Sequence, residues 1–473
     1  MPTALRRTEI KVKSTTGISP VMRELSEYIA HARGKPLPAR VLEKTTHHVL
    51  DTIAAMISGT TLMPGKSAIA YVRALGGSRE ATVVGSRIVT NAGNAALANA
   101  MLAHADETDD THAPSSTHPG CGIVAATLAM AEKGRCHGMA LLRAVALGYD
   151  VSARLSLSLG AGAFRKVGHL PQCFGPTFGA AAAGAALAGL NARQVRHVLS
   201  YAAQQASGLS SYPRDIDHIE KAFDFGGMAA RNGVAAATMV AAGCTGVDDV
   251  FSGERNFFQA YDESSRTGCA VRPRILVDGL GETFEIMNTS IKRWTVGAPI
   301  QAPLDALQML IRGENVKAED VAKMVIRTYA GGATITDNRK MSDINIQHLC
   351  AIMLLDGTVT FDSSHDKQRL MDPGVLALRR RISLVADEAL EKLRPARHGI
   401  VELTLKDGRQ LRHHTSAVLG SPRNPMSRTD VEEKSYHLMA PVLGTRRARS
   451  LCKSVLALAE LRDVRALRPL LQR

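Results

Sequence analysis

Large rings are scarce in this chain: aromatic residues make up 4% of its 473 positions, with a single tryptophan, Trp294. An interior so poor in aromatics has to close by near approach of small side chains. The 40 glycines and abundant alanine therefore predict much tightly packed helix. Cysteine is sparse and dispersed. The seven (Cys121, Cys136, Cys173, Cys244, Cys269, Cys350, Cys452) are odd in number and show no Cys-x-x-Cys spacing. That argues against a disulfide framework and a thiolate zinc site, and fits a reducing compartment. No His-Glu-x-x-His or similar spacing sets metal ligands on one helix face. The longest small-apolar run, Gly179 to Leu190, is too short and too rich in Gly and Ala to span a bilayer. Met1 to Gly17 carry Arg6, Arg7, Lys11 and Lys13 with no apolar stretch behind them, so no secretory signal is expected. A cytoplasmic location is expected; a weak targeting peptide to the mitochondrial matrix is the alternative.

Charge is plentiful and of one sign. The formal net charge is +14, and Arg446 to Arg473 hold eight Lys or Arg against Glu460 and Asp463. Such a balance suits nucleic acid, an anionic membrane or an anionic small molecule. The basic tail has neither interleaved aromatics nor a recognisable nucleic-acid module, so a solvated helix end and a small anionic substrate are expected, with no nucleic-acid or membrane partner. The apolar (45%) and charged (22%) fractions are those of a globular protein, long enough for two or three domains.

Apolar spacing predicts helix almost throughout Val21 to Ala242, including Val41 to Ser58, Ala92 to His104, Cys121 to Lys133, Met139 to Leu157 and Gly175 to Leu190. The texture changes near Arg272. Val321 to Tyr329 alternates like a half-buried strand, and Ile400 to Arg412 reads as two strands joined at Asp407-Gly408. Asp343 to Leu355 and Val375 to Ile382 read as helices between them. The expected fold is mainly α: a large all-helical domain (1–271 and 424–473) with a smaller inserted α+β lid domain (272–423).

The chemistry concentrates in His104-Ala-Asp106-Glu107-Thr108-Asp109-Asp110-Thr111-His112, followed by His118-Pro119-Gly120. Four carboxylates and three histidines within fifteen residues, between two apolar helices, favour a proton-transfer site. Crowded carboxylates repel and raise one another's pKa values while cationic partners lower them, which yields an acid and a base in one place. A metal site and simple helix capping by Asp109, Asp110 and Thr111 are the competing readings. Further clusters are Phe164-Arg165-Lys166 with Gly168-His169, an anion pocket before a helix; Asp217-His218-Ile-Glu220-Lys221; and Ser290-Ile-Lys292-Arg293-Trp294.

In this order the segments resemble the MmgE/PrpD family, from about Ile29 to Leu443. The specific matches are His104 to His112 with His118-Pro119, Gly168-His169, Ala206-Ser-Gly-Leu209, Lys221, Ala229-Ala-Arg-Asn-Gly233, Gly253-Glu-Arg-Asn-Phe257, Lys292 and Gly420-Ser-Pro-Arg-Asn-Pro425. The resemblance implies a homodimer with its active site between a helical domain and an α+β lid, working without metal or organic cofactor. It implies a lyase acting on a small di- or tricarboxylic acid: a 2-methylcitrate dehydratase-like hydro-lyase first, with cis-aconitate decarboxylase-like or iminodisuccinate epimerase-like activity as alternatives. By position, Glu107, Thr111, His118, His169, Lys221 and Lys292 are the implied catalytic set. His104, Asp109, Asp110, His112, Arg165, Lys166 and Arg293 are the expected substrate contacts. The chain departs from the family in carrying Glu107 where many members have aspartate, and in following Lys292 with Arg293-Trp294. His118 also stands one residue farther from Thr111 than in the decarboxylase pattern. A non-catalytic protein that binds an anionic metabolite is the rival from another class.

Overall fold

A computed structural model describes residues 17–473; the targeting-peptide reading of the N-terminal basic residues falls on positions 1–16, outside the described residues. Helices Ala39–Gly59, Ala92–Ala103, Pro119–Lys133, Gly138–Ser158, Pro171–Leu187 and Met228–Ala241 build the larger part of the molecule. Pro171–Leu187 is buried along its whole length, against Gly138–Ser158 on one side and Met228–Ala241 on another. Small residues make this possible. A Cβ on Gly179 would stand 2.4 Å from the Gly148 carbonyl oxygen, and one on Gly233 2.7 Å from the Ala181 nitrogen. Backbones this close leave no room for a methyl group, which is why so few aromatics are needed.

Two apolar cores fill this helical part. A third, spanning Trp294 to Leu411, belongs to a region built on a four-stranded sheet in the order β4-β3-β5-β6. In chain order, Ala81–Thr82 (β1) and Val89–Thr90 (β2) form a separate small ribbon. The larger sheet takes Val321–Thr328 (β3), Ile382–Ala386 (β4), Gly399–Leu405 (β5) and Gln410–Thr415 (β6). β3 runs parallel to β4 and antiparallel to β5, and β5 pairs antiparallel with β6 in the register Val401 to His413. Helices Gln301–Glu314 and Ile346–Asp356 supply apolar side chains to the same core.

β3 and the β5–β6 hairpin lie where alternation places them. β4 does not match its expectation: the helix expected to run to Ile382 ends at Arg379, and Ile382 opens a strand. Pairing with β3 buries Ile382 there, a tertiary gain that local apolar spacing cannot register. Leu276, Val277, Ile286 and Ile291 pack into the helical cores, so the sheet region's own core starts only at Trp294. After β6 the chain returns, and Met426, Val431, Leu438 and Met439 join the core that holds Leu50 and Ile53.

The return is pinned at Gly420. Its φ is +96°, and a Cβ there would fall 1.9 Å from the Ile291 carbonyl oxygen. The Ile291 N–H donates to Gly420 O at 3.1 Å, and the Gly420 N–H to Asn424 O at 2.7 Å. Position 420 thus has to be glycine for the 420–425 loop to lie against Ile291-Lys292. Gly420→Ala is expected to destabilise the fold by about 1–3 kcal/mol, read as a lowered urea midpoint with unchanged slope. A midpoint equal to wild type would show that the approach is not a constraint.

Candidate active site

The loop joining Ala92–Ala103 to Pro119–Lys133 carries its polar residues inward: every residue from His104 to His112 is buried. Buried carboxylates have to be met by donors or cations, and each of the four has its own set. Asp110 accepts from Tyr149 Oη at 2.6 Å and the Gly120 N–H at 2.9 Å, and lies 2.7 Å from His48 Nδ1. Asp106 accepts from the Thr108 N–H and hydroxyl, and His365 Nε2 stands 3.1 Å away. His112 is held between Ser115 Oγ at 2.7 Å and Glu285 Oε2 at 3.1 Å. Asp110 and His112, expected at the substrate, thus spend their polar atoms on protein partners and shape the loop.

Glu107 and Asp109 have different company. Lys221 Nζ donates to Glu107 Oε1. Lys292 Nζ donates to the Glu107 carbonyl at 2.7 Å and lies 3.4 Å from Oε2. Asp109 takes His104 Nδ1 at 3.0 Å on one oxygen and His118 Nδ1 at 3.3 Å on the other. Burial works against the charge on Glu107, but the ammonium groups of Lys221 and Lys292 overcome it and hold the carboxyl well below its ordinary range. Asp109 is likewise held low against burial by the imidazoles of His104 and His118. Burial pushes His118 down to about 4, Lys292 adding to it, so the ring is neutral at pH 7. With Nδ1–H committed to Asp109, its Nε2 carries the lone pair.

Local structure sets these side chains. The Gln172 amide clamps the His118 backbone, accepting from its N–H at 2.5 Å and donating to its carbonyl at 2.9 Å. Lys221 lies in the short helix Ile219–Ala222, whose leading residue, His218, has φ +61°. A π-helical turn, Phe223–Gly227, follows at once, a distortion frequent at functional sites. It sets the Phe225 ring flat on His104 at 4.6 Å, with Lys221 Nζ 5.0 Å from its centroid. The Ser290–Thr111 backbone bridge fixes the segment that delivers Lys292.

A cleft of about 850 Å³, its open mouth included, runs from Glu107, Thr111, His118 and Lys221 to the sheet region, which contributes Tyr329, Arg394 and Arg397. Arg165 and Tyr212, joined by a guanidinium–hydroxyl hydrogen bond, complete the polar lining. Burial lowers the basicity of Arg165, and Arg394 and Arg397 add to the effect. Three guanidiniums and an ammonium around one space form a receptor for an anion of more than one charge.

Of the implied catalytic residues, the structure brings Glu107, Thr111, His118 and Lys221 to this cleft. Lys292 is 2% exposed and turns its ammonium to Glu107 behind it. His169 stands apart: it stacks on Phe164 at 4.2 Å with Nε2 2.9 Å from Glu263 Oε1. Lys166 is exposed, and Arg293 pairs with Asp305 over the Trp294 ring. Tyr212, Tyr329, Arg394 and Arg397 were not singled out from the sequence. The one local signal was the pair of arginines around Pro395 just ahead of β5.

Ligand atoms of His104, Asp109 and His118, and of His104, Glu107 and His218, lie close enough together to consider a cation. The charges oppose it. Glu107 is already neutralised by two ammonium groups, and the Nδ1 atoms of His104 and His118 are committed to Asp109. A dication there would face Lys221 and Lys292 across a few ångströms of low dielectric.

The site thus defines a class: a mainly helical protein whose buried His/Lys/carboxylate cluster opens on an arginine-lined cleft, an arrangement for proton transfer on a polyanion. The chain belongs to the MmgE/PrpD family, with residues 23–269 matching the MmgE/PrpD N-terminal domain and 294–459 the MmgE/PrpD C-terminal domain. It is similar to human cis-aconitate decarboxylase, 25% identical over 456 residues that cover 92% of this chain and 91% of that protein. The cis-aconitate decarboxylase-like protein oryM of Aspergillus oryzae is 23% identical, covering 96% and 97%. Mouse cis-aconitate decarboxylase is 25% identical over 80% and 78%.

Glu107→Gln keeps the shape but leaves two buried ammonium groups facing a neutral amide. It is expected to destabilise the protein by about 3–5 kcal/mol, measured by urea unfolding. A loss under about 1 kcal/mol would show that the cluster behaves like an exposed ion pair.

Proposed function

We propose that this protein is a lyase that removes a proton from a carbon of a small di- or tricarboxylic acid. The reading takes it first as a hydro-lyase of the 2-methylcitrate dehydratase type, working as a homodimer with neither metal nor organic cofactor. The observation that carries the reading is that His118, with Nδ1 tied to Asp109, and Lys221 share a cleft ringed by Arg165, Arg394 and Arg397. The guanidiniums take the substrate carboxylates. His118 Nε2 accepts the proton from the carbon next to one of them, and the electron pair left behind spreads into that carboxylate as an enolate. Lys221 stabilises this charge, the term on which such reactions most depend. The pair then forms the double bond, and the hydroxyl on the neighbouring carbon leaves as water, protonated by Lys221. Glu107, held anionic, is no acid; it aims Lys221. His169 is one residue from the cleft-lining Leu170 and becomes a second proton carrier if its ring leaves Glu263.

A decarboxylase is the second reading, favoured by the names of relatives that align over more than nine-tenths of both chains. In that case the carbon–carboxylate bond breaks, CO2 leaves, and the carbanion takes its proton from the Lys221 ammonium. The cation requirement is the same.

Proton NMR in deuterium oxide, with 2-methylcitrate, citrate, cis-aconitate, iminodisuccinate, tartrate and malate offered in turn, separates these readings. Water loss from 2-methylcitrate with deuterium in the recovered substrate is the expected result, and CO2 release from cis-aconitate would select the second reading. No exchange or product from any acid would overturn the lyase assignment in favour of a metabolite-binding protein.

Lys221→Ala is expected to lower kcat at least about 100-fold with the far-UV circular dichroism spectrum retained. A near-normal kcat would remove Lys221 from the mechanism. The pH profile is a further check. The base form of His118 is present above its pKa of about 4 and lost below it. The acid limb of kcat/KM is therefore expected toward pH 4, and a limb near the 6.5 of free histidine would show that another base acts.

A further inference from the structure

Behind the cleft lies a second cavity that the reaction above does not use. Its empty volume, including its mouth, is about 860 Å³, and Thr111, Ala113, Ala298, Pro395 and Arg397 line both spaces. Most of its accessible surface is apolar, through Pro114, Ile291, Val418 and Leu419, with Ser416, Ser421 and Arg423 also in its lining. Lys292 borders it too, but its ammonium is turned to Glu107, so only its methylenes are offered. The five shared residues form the partition between the two spaces. Arg397 Nη2 reaches Thr111 Oγ1 at 3.3 Å, a long bond for a guanidinium donor.

We propose that this cavity receives an alkyl substituent of the substrate, so that the preferred acid is a polycarboxylate carrying a hydrocarbon chain longer than methyl. The inference rests on the lyase reading and deepens it by naming the substrate class. Shared walls, more than size, carry the argument. A substituent on a carbon held by Arg165, Arg394 and Lys221 would reach the apolar space past the shared residues, Arg397 and the Thr111 hydroxyl among them. Arg397 is also the residue that a substrate carboxylate draws away from Thr111, since an anion is a stronger acceptor than a hydroxyl. Seating the acid and opening the partition are thus one movement. An alkyl chain needs no polar partner at its end, and Ile291, Val418 and Leu419 offer it apolar contact. The 420–425 loop, fixed on Ile291 through Gly420, makes that wall rigid.

The test is a chain-length series, methyl, propyl, butyl and hexyl 2-alkylcitrates, followed by NMR in deuterium oxide with kcat/KM for each. In the wild type kcat/KM is expected to rise about three- to fourfold per added methylene until the cavity is filled. Ala417→Phe, which narrows the cavity from a residue outside the catalytic cluster, is expected to bring the hexyl-to-methyl ratio of kcat/KM down to about one. Leu419→Ala, which widens it, is expected to shift the optimum to longer chains. A flat or falling wild-type series with the methyl compound turned over would overturn the alkyl pocket and leave the lyase reading standing. No exchange at any chain length would overturn both. If Ala417→Phe fails to fold, the wild-type series and Leu419→Ala decide alone.

Discussion

One buried carboxylate, Glu107, organises the site. It sits between two ammonium groups that come from different parts of the chain: Lys221 from the turn ahead of Met228–Ala241, and Lys292 from the segment that leads into the sheet region. Both lysines are buried and meet the Glu107 carboxylate there. Glu107 in turn could not stay ionised at its depth without them. The three charges are therefore a single unit, and its geometry is what aligns helix, loop and sheet region at one point. A group of this kind contributes little net stability over an apolar alternative, but losing one member is costly. Its retention makes sense as a device for holding Lys221 charged at the edge of a cleft.

The same logic separates the roles of chemically similar residues in one loop. Asp110 is fully occupied by Tyr149, Gly120 and His48, so it fixes the loop to Ala39–Gly59 and Gly138–Ser158. Asp109 takes the Nδ1–H of both His104 and His118, with Lys292 Nζ 3.8 Å from one oxygen, so it fixes tautomers and leaves the His118 Nε2 lone pair free. Lys434, from helix Arg428–Leu443, braces the loop from behind by pairing with Asp51 at 2.6 Å and reaching the Thr108 carbonyl at 3.2 Å. Sequence position alone does not tell which carboxylate does which, because the partners that set Asp110, Glu107 and Asp106 apart, such as His48, Lys221, Lys292 and His365, lie far from them in the chain.

That is also the measure of how far the sequence could be read. The helices of the larger region are local in origin: their apolar spacing is visible in the chain, and their ends fall within a few residues of expectation. β3 and the β5–β6 hairpin were legible for the same reason, since alternation and an Asp-Gly turn are local signals. β4 was missed because its burial is supplied by β3. The His104–His118 segment, Lys221 and Lys292 stood out through motif order and converge as a cluster. Arg394 and Arg397 did not stand out, because a surface arginine and a substrate-facing one look alike until the fold shows what they face. His169 stood out and yet pairs with Glu263, apart from the cleft lining.

The sheet region reaches the catalytic loop through a second charged contact, and that contact decides how the cleft is walled. His365, at the end of helix Phe361–His365, lies 3.1 Å from Asp106 and 4.0 Å from Asp343. Burial opposes its charge, but the two carboxylates, Asp106 foremost, raise it to about 9. Burial pushes Asp343 up to about 6. Asp106 immediately precedes Glu107, and the cation it holds belongs to the region that brings Tyr329, Arg394 and Arg397. The face that carries the proton-transfer groups and the face that carries the anion receptor are thus joined at adjacent residues of one loop. A shift of the sheet region large enough to widen the cleft would have to pull His365 from Asp106, and with it disturb the backbone beside Glu107. The arginine-lined wall of the cleft and the buried Glu107 cluster are linked by that adjacency, without any contact between the arginines and Glu107 itself.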